Sequence, residues 1–158
     1  MSANWIKQDF NLNDLRLLHK LAEHIKVFQD LTPAEISGLL AKAEKCSYHT
    51  GTTIIKEGSV GAYMYVIFDG TAIVTKKGNE GDVELARLNA ADSFGEMALA
   101  DREARCATVT AMTSCVLVRL GEQMLVRNPE IAMKVYRNIT VLLSERLRRT
   151  DEKLVWQL

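Results

Sequence analysis

Hydrophobic positions in this chain follow a helical period at its beginning. Between residues 12 and 30 the apolar side chains recur every three or four residues, which predicts an amphipathic helix. A second helix is predicted to begin at residues 32–35, where Thr32 is a suitable N-cap, Pro33 fits the first helical position and Glu35 completes a capping box. The first helix would bury Leu12, Leu15, Leu17 or Leu18, Leu21, Ile25 and Phe28 and be capped by Asn11 or Asn13; the second would bury Ile36, Leu39, Leu40 and Ala43.

From Glu44 to Leu120 the pattern changes to short β-branched and aromatic runs that are broken by glycine. Such runs at even spacing are typical of an antiparallel roll or barrel. Residues 77–82 have the composition of a hairpin loop. The predicted strands are residues 46–48, 53–56, 63–68, 71–76, 83–88, 107–111 and 114–119.

Helix is predicted again from about residue 123, with an interruption at Asn128–Pro129. The last helix carries an apolar stripe that is longer than packing against one roll requires. We therefore expect part of it to form a two-helix seam with a second copy, which makes a homodimer. The stripe consists of Ile131, Val135, Ile139, Leu142, Leu143, Leu147, Leu154 and Leu158.

Composition limits the class of protein. The chain has 158 residues, 47% of them hydrophobic, which suits one compact domain. Twenty basic and 20 acidic side chains give zero net charge, so we expect no general attraction to nucleic acid or to an anionic membrane. No apolar run approaches the length of a bilayer span, and the N-terminus lacks a signal peptide's hydrophobic region. Three cysteines without zinc spacing predict free thiols in a reducing compartment, the cytoplasm.

The segment from Phe94 to Ala111 combines groups that suit one cyclic sugar phosphate. Gly95 permits a close backbone approach, and a short helical turn over residues 97–99 would direct N–H groups at an anion. Glu96 can accept a hydrogen bond from a ribose hydroxyl. Arg105, nine residues later, supplies a two-pronged cation for phosphate oxygens.

Residues 94–99, the five residues that follow and residues 105–109 resemble the phosphate-binding cassette of the cyclic nucleotide-binding domain family, without a gap. Residues 51–70 are similar to the glycine pattern of the same family. The resemblance covers about residues 27–150 and implies an α+β fold. We expect a helical segment over residues 1–26 and a cyclic nucleotide-binding domain over 27–158. That domain would be an eight-stranded antiparallel β-roll, or jelly roll, over about 44–120, with helices over about 121–158.

The resemblance also implies the site residues and the ligand. In relatives that prefer cyclic GMP, the position of Cys106 often carries threonine; cysteine is a weak hydrogen-bonding group, which favours cyclic AMP and leaves cyclic GMP possible. Residues 150–153 resemble a segment of one member, the catabolite activator protein, that reaches the adenine amino group across the dimer; a solvated helix face is an equal alternative. The implied cyclic nucleotide-binding residues are Gly95, Glu96, Met97, Ala98, Leu99, Arg105, Cys106 and Ala107, and the possible base lid is Leu147, Thr150, Asp151 and Leu154.

Other charged residues have simpler interpretations. Arg102 lies close enough to compete for the phosphate, but we favour a solvated charge paired with Asp101 or Glu103. Ala91 stands where relatives often have glycine. A basic cluster on the last helix is interpreted as a solvated face, and the sequence after that helix leaves no room for a helix-turn-helix, so we expect no direct DNA binding. The cluster consists of Arg146, Arg148 and Arg149.

Two hypotheses remain. The favoured one is a stand-alone cyclic nucleotide sensor that signals through its C-terminal helices to an unknown downstream protein. The alternative is a degenerate domain of the same fold that binds no nucleotide and acts in protein interaction or dimerisation. A metalloenzyme or hydrolase is not expected, because His19, His24 and His49 lie outside the pocket and form no metal triad or catalytic pair.

Overall fold

The protein folds into two antiparallel sheets with helices at both ends of the roll. The structure, a computed structural model, describes residues 6–8, 16, 19–20 and 22–156. One sheet has the strand order β1-β2-β9-β4-β7 and the other has the order β3-β8-β5-β6. The strands are β1 Ile6–Gln8, β2 Glu44–Tyr48, β3 Thr53–Ile55, β4 Tyr63–Asp69, β5 Ala72–Gly78, β6 Gly81–Leu88, β7 Ser93–Phe94, β8 Thr108–Ala111 and β9 Cys115–Gly121.

Strands β2 to β9 are the eight-stranded roll that the resemblance implied, and all seven strands predicted from the pattern are present. Two strands were missed. β7 has only two residues, and β1 lies in the segment expected to be helical, where it pairs with β2. The hairpin loop expected over residues 77–82 is shorter than predicted, because β5 ends at Gly78 and β6 begins at Gly81.

The helices are a 3-10 helix over Lys26–Phe28, α1 Pro33–Leu40, α2 Met97–Ala100, α3 Glu122–Val126 and α4 Pro129–Trp156. The predicted capping box at α1 is confirmed: Thr32 Oγ1 accepts from the Glu35 N–H at 3.2 Å, and a Glu35 carboxylate oxygen accepts from the Thr32 N–H at 2.7 Å. The interruption before Pro129 is also confirmed, since Asn128 Oδ1 accepts from the Ile131 N–H at the start of α4.

The helix expected over residues 12–30 ends earlier than predicted. Residues 16, 19, 20 and 22 are helical, but the backbone is extended at Ile25 and only the short 3-10 helix follows it. The 3-10 helix region is held against α4, where Asn138 Nδ2 donates to the carbonyls of Val27 and Gln29. The suggested caps, Asn11 and Asn13, lie outside the described residues.

Two hydrophobic clusters hold the molecule together. One fills the roll, where Tyr65 and Phe94 stack at 5.2 Å between ring centroids. The other lies between the roll and the helices and contains the first half of the apolar stripe on α4. Its α4 members are Ile131, Val135, Ile139 and Leu142. By contrast, Leu147 and Leu154 are 63% and 55% exposed, so the second half of α4 leaves its stripe open to solvent.

Among the described residues, no helix has both the length and the apolar character that crossing a bilayer would need. Cys46, Cys106 and Cys115 are free thiols, as predicted.

Candidate functional site

A sharp turn at Gly95 joins β7 to α2 and forms the floor of the site. The φ of Gly95 is +76°, a conformation that disfavours any side chain. A Cβ atom there would lie 2.8 Å from Arg105 Nη1 and 3.2 Å from the Tyr63 carbonyl oxygen. Glycine is therefore required both for the turn and for the space that the guanidinium of Arg105 occupies.

Arg105 is a buried cation held by neutral groups. It is 9% exposed, and its Nη1 and Nη2 donate to the carbonyls of Gly95 (2.9 Å) and Tyr63 (2.7 Å). Its backbone is fixed by Ser59, whose carbonyl accepts from the Arg105 N–H. Burial lowers the pKa of the Arg105 guanidinium from its ordinary value, and the more distant Glu96 opposes this effect. No carboxylate of the described residues forms an ion pair with Arg105.

Glu96 is the most deeply buried carboxylate of the site, at 1% exposed. The Ser93 hydroxyl donates to its Oε1 at 2.9 Å, and Arg146 Nη1 donates to its Oε2 at 3.1 Å. Arg146 Nη2 also donates to the Ser93 carbonyl at 2.7 Å. The two bonds from Arg146 join this segment to α4, and the Ser93 hydroxyl holds the Glu96 carboxylate in place.

The interpretation of Arg146 as part of a solvated helix face is therefore wrong. Arg148 and Arg149 are exposed as expected, but Arg146 lies on the side of α4 that meets the roll and pairs with a carboxylate 50 residues earlier. The helical period places Arg146 on the face of the buried stripe, four residues after Leu142 and seven after Ile139, but it does not identify Glu96 as the partner.

The interpretation of Arg102 also needs correction. Its guanidinium pairs with Glu122, the first residue of α3, at 2.6 Å, and not with Asp101 or Glu103. Its φ of 55° turns the chain at this point, and the Asp101 carboxylate instead accepts from the Glu103 N–H. The cassette loop is thereby connected to α3.

The remaining predicted residues fall into two groups. Within the cassette, Cys106 Sγ lies 4.0 Å from Met97 Sδ, and Ala98 and Leu99 are buried. The turn over residues 97–99 was expected to direct N–H groups at an anion, but those of Ala98 and Leu99 donate inside the turn, to the carbonyls of Gly95 (3.3 Å) and Glu96 (3.0 Å). Ala107 is half-buried just before β8. The second group is the expected base lid, which is exposed along α4: Leu147, Thr150, Asp151 and Leu154.

The Thr150 hydroxyl donates to the Arg146 carbonyl within α4. Among the described residues, two α4 side chains hydrogen-bond to residues 93–99. One is Arg146, and the other is Tyr136, which donates its hydroxyl to the Leu99 carbonyl at 3.3 Å. Ala91 has a φ of 73°, which explains why glycine suits this position in relatives.

Comparison with known proteins agrees with this geometry. A sequence model of the cyclic nucleotide-binding domain matches residues 45–127, more than half of the chain. The cAMP-dependent protein kinase regulatory subunit of Aspergillus fumigatus is 35% identical over 106 residues, which are 67% of this chain and 25% of the relative. The chain thus spans about a quarter of the length of that relative.

Solved structures give the same result. The catabolite activator protein of Thermus thermophilus is similar with a TM-score of 0.76 at 27% identity, over 84% of this chain and 62% of that one. A cyclic nucleotide-binding domain from Methylobacillus flagellatus has a TM-score of 0.85 at 21% identity, over 98% of this chain and 90% of that one, and it shows the likeness of fold.

Proposed function

Because this chain belongs to the cyclic nucleotide-binding domain family, we propose that it binds one cyclic nucleotide, cyclic AMP, and acts as a regulatory sensor through its C-terminal helices. The observation that carries the proposal is Arg105. A cation that is 9% exposed, held by two carbonyls and lacking an ion pair among the described residues costs free energy until an anion approaches it.

The charge of the site suits a cyclic phosphodiester, which carries one negative charge. Arg105 has five N–H donors, and the carbonyls of Gly95 and Tyr63 each take one. The rest of the fork is free to bind the exocyclic phosphate oxygens. A charge-assisted contact of this kind contributes about 2–3 kcal/mol in a partly dry site.

Glu96 would accept a hydrogen bond from the ribose 2′-hydroxyl. A lone carboxylate so near a phosphate would repel it, but Arg146 already neutralises Glu96. The Glu96–Arg146 pair therefore leaves a sugar site with little net charge, and Arg105 provides the single positive charge that matches the ligand. Since Arg146 belongs to α4, occupation of the sugar site acts directly on that helix.

Two observations favour cyclic AMP. Cys106 offers a thiol, a weak hydrogen-bonding group, at the position where relatives that prefer cyclic GMP often have a hydroxyl. The matched regulatory subunit is also named for cAMP dependence. We further propose that Leu147, Thr150, Asp151 and Leu154 cover the base when α4 shifts.

We propose that the signal passes through a homodimer or to a downstream protein. Leu143, Leu147, Thr150 and Leu154 follow one another at spacings of four, three and four residues, which is the seam of a two-stranded coiled coil. Leu147 and Leu154 are more than half exposed, so this seam is open for a second copy.

Calorimetric titration of the protein with cyclic AMP and with cyclic GMP tests the proposal. We expect binding of cyclic AMP, a large loss in Arg105→Ala and no loss in the matched control Arg148→Ala, since Arg148 is exposed on α4. Absence of heat with either nucleotide at millimolar concentration would refute the sensor and leave an interaction module. Sedimentation with and without ligand tests the dimer separately.

A further inference from the structure

A lysine lies on the inward face of the β5–β6 hairpin, beside the cassette. Along β5, Ala72 is buried and Val74 packs against the core inside the roll, so Lys76 occupies the same face by alternation. Val74 pairs with Val109 of β8, and continuing that register by two residues sets Lys76 opposite Ala107. Ala107 immediately precedes β8 and follows Arg105 by two residues, so Lys76 lies beside the end of the cassette that carries Arg105.

The ammonium of Lys76 is already directed at the site. Its Nζ donates to the Cys106 carbonyl at 2.7 Å and lies 4.0 Å from a carboxylate oxygen of Glu57. The side chain is 48% exposed, and an ammonium has three donors that rotate freely. Lys76 thus holds a positive charge next to Cys106 with further N–H groups available to a ligand.

Two partly exposed apolar side chains lie beside Lys76, in addition to the Glu57 carboxylate. Lys76 pairs across the hairpin with Val83, which shares its face and is 53% exposed, and Val74 on the same face is only half-buried. A purine that extends from a sugar at Glu96 and a phosphate at Arg105 needs such a flat apolar wall. Val74 and Val83 can supply apolar contacts of this kind next to the cassette, with Lys76 and its partner Glu57 at their side.

We propose that Lys76 determines base specificity by donating a hydrogen bond to the O6 and N7 edge of a purine. Guanine presents two acceptors there, whereas adenine presents the N7 acceptor beside an amino donor. Lys76 therefore adds affinity for cyclic GMP and narrows the preference for cyclic AMP that Cys106 favours. This assignment rests on the proposed function of the same site.

The test compares Lys76→Met with Lys77→Met. Methionine retains most of the apolar stem and removes the charge, and Lys77 is the matched control because it is exposed and lies on the opposite face of β5. Each variant is titrated with cyclic AMP, cyclic GMP and cyclic IMP, whose base has O6 and N7 but no 2-amino group. In Lys76→Met we expect affinity for cyclic GMP and cyclic IMP to fall about fivefold to tenfold and that for cyclic AMP to change less than twofold. Lys77→Met should change none of the three more than twofold.

The other outcomes overturn the assignment in distinguishable ways. Equal losses for the three ligands would place the ammonium on the phosphate that they share. A loss for cyclic GMP without one for cyclic IMP would make the effect depend on the 2-amino group, to which an ammonium cannot donate, and would refute the O6 and N7 contact. No loss at all would remove Lys76 from the site. If the unaltered protein binds none of the three ligands, the proposed function fails together with this inference. Binding that Arg105→Ala abolishes but Lys76→Met leaves unchanged refutes this inference alone.

Discussion

Replacing Arg105 by lysine isolates the geometry of the phosphate contact, because the charge is kept and the planar fork is lost. In the structure two of the five N–H groups of Arg105 are committed to the Gly95 and Tyr63 carbonyls. That leaves three for phosphate oxygens. A lysine ammonium has three N–H groups in all, so only one remains once both carbonyls are satisfied.

The substitution thus removes two charge-assisted donors while it retains most of the Coulomb attraction. We expect a loss of about 2 kcal/mol of binding free energy, roughly thirtyfold in the dissociation constant for cyclic AMP. Arg105→Ala, which also removes the charge, should cost about 3 kcal/mol.

Isothermal titration calorimetry measures both losses, and thermal unfolding without ligand confirms that each variant is folded. Arg102→Lys is the control: it is the same substitution three residues away, on a side chain that is 71% exposed and pairs with Glu122, and we expect less than a twofold effect. A folded Arg105→Lys protein that binds cyclic AMP within threefold of the unaltered one would refute the two-pronged contact.

Three further predictions concern the elements around Arg105. Gly95→Ala should lower the free energy of unfolding by about 1–2 kcal/mol and weaken cyclic AMP binding at least tenfold, because the new Cβ would lie 2.8 Å from Arg105 Nη1. Unchanged binding of cyclic AMP in this variant would contradict the placement of the phosphate at Arg105. Arg146→Met should lower the free energy of unfolding by about 1 kcal/mol, a value that is kept small because the Arg146 side chain is 40% exposed. A double-mutant cycle with Glu96→Gln should give an interaction energy of similar size, and additive effects of the two substitutions would refute the ion pair. Leu154→Asp should turn a dimer into a monomer in sedimentation velocity, while Lys153→Asp, its exposed neighbour, should not; a dimer that persists in Leu154→Asp argues against the α4 seam.

The part of the site that the sequence pattern predicts is the part that is local. Gly95, Glu96 and Arg105 lie within one short segment whose spacing fixes a turn, so the pattern brings them near one another without knowledge of the remaining fold. In the structure they do lie together, around the Gly95 turn. The roll was predictable for a similar reason, since seven of its strands coincide with local β-branched and aromatic runs that glycines separate.

The contacts that were missed are long-range or depend on backbone conformation. Arg146 finds Glu96 across 50 residues, and its partner depends on how α4 is rotated against the roll. Arg102 has acidic neighbours on both sides in the chain, but its positive φ and the position of α3 bring Glu122 closer. β7 has two residues, which is too short for any period to be recognised.

In the proposed sensor, the bridge from Ser93 and Glu96 to Arg146 would let the position of α4 act on the nucleotide site as well as respond to it. The free energy that couples two binding events is reciprocal. If a bound nucleotide changes the equilibrium constant between two positions of α4 by some factor, then a protein that binds only one of those positions changes nucleotide affinity by the same factor. A partner that holds α4 against the roll would slow the escape of the nucleotide, and one that draws it away would empty the site at constant messenger concentration. The partner would then set the concentration of cyclic nucleotide at which this domain responds.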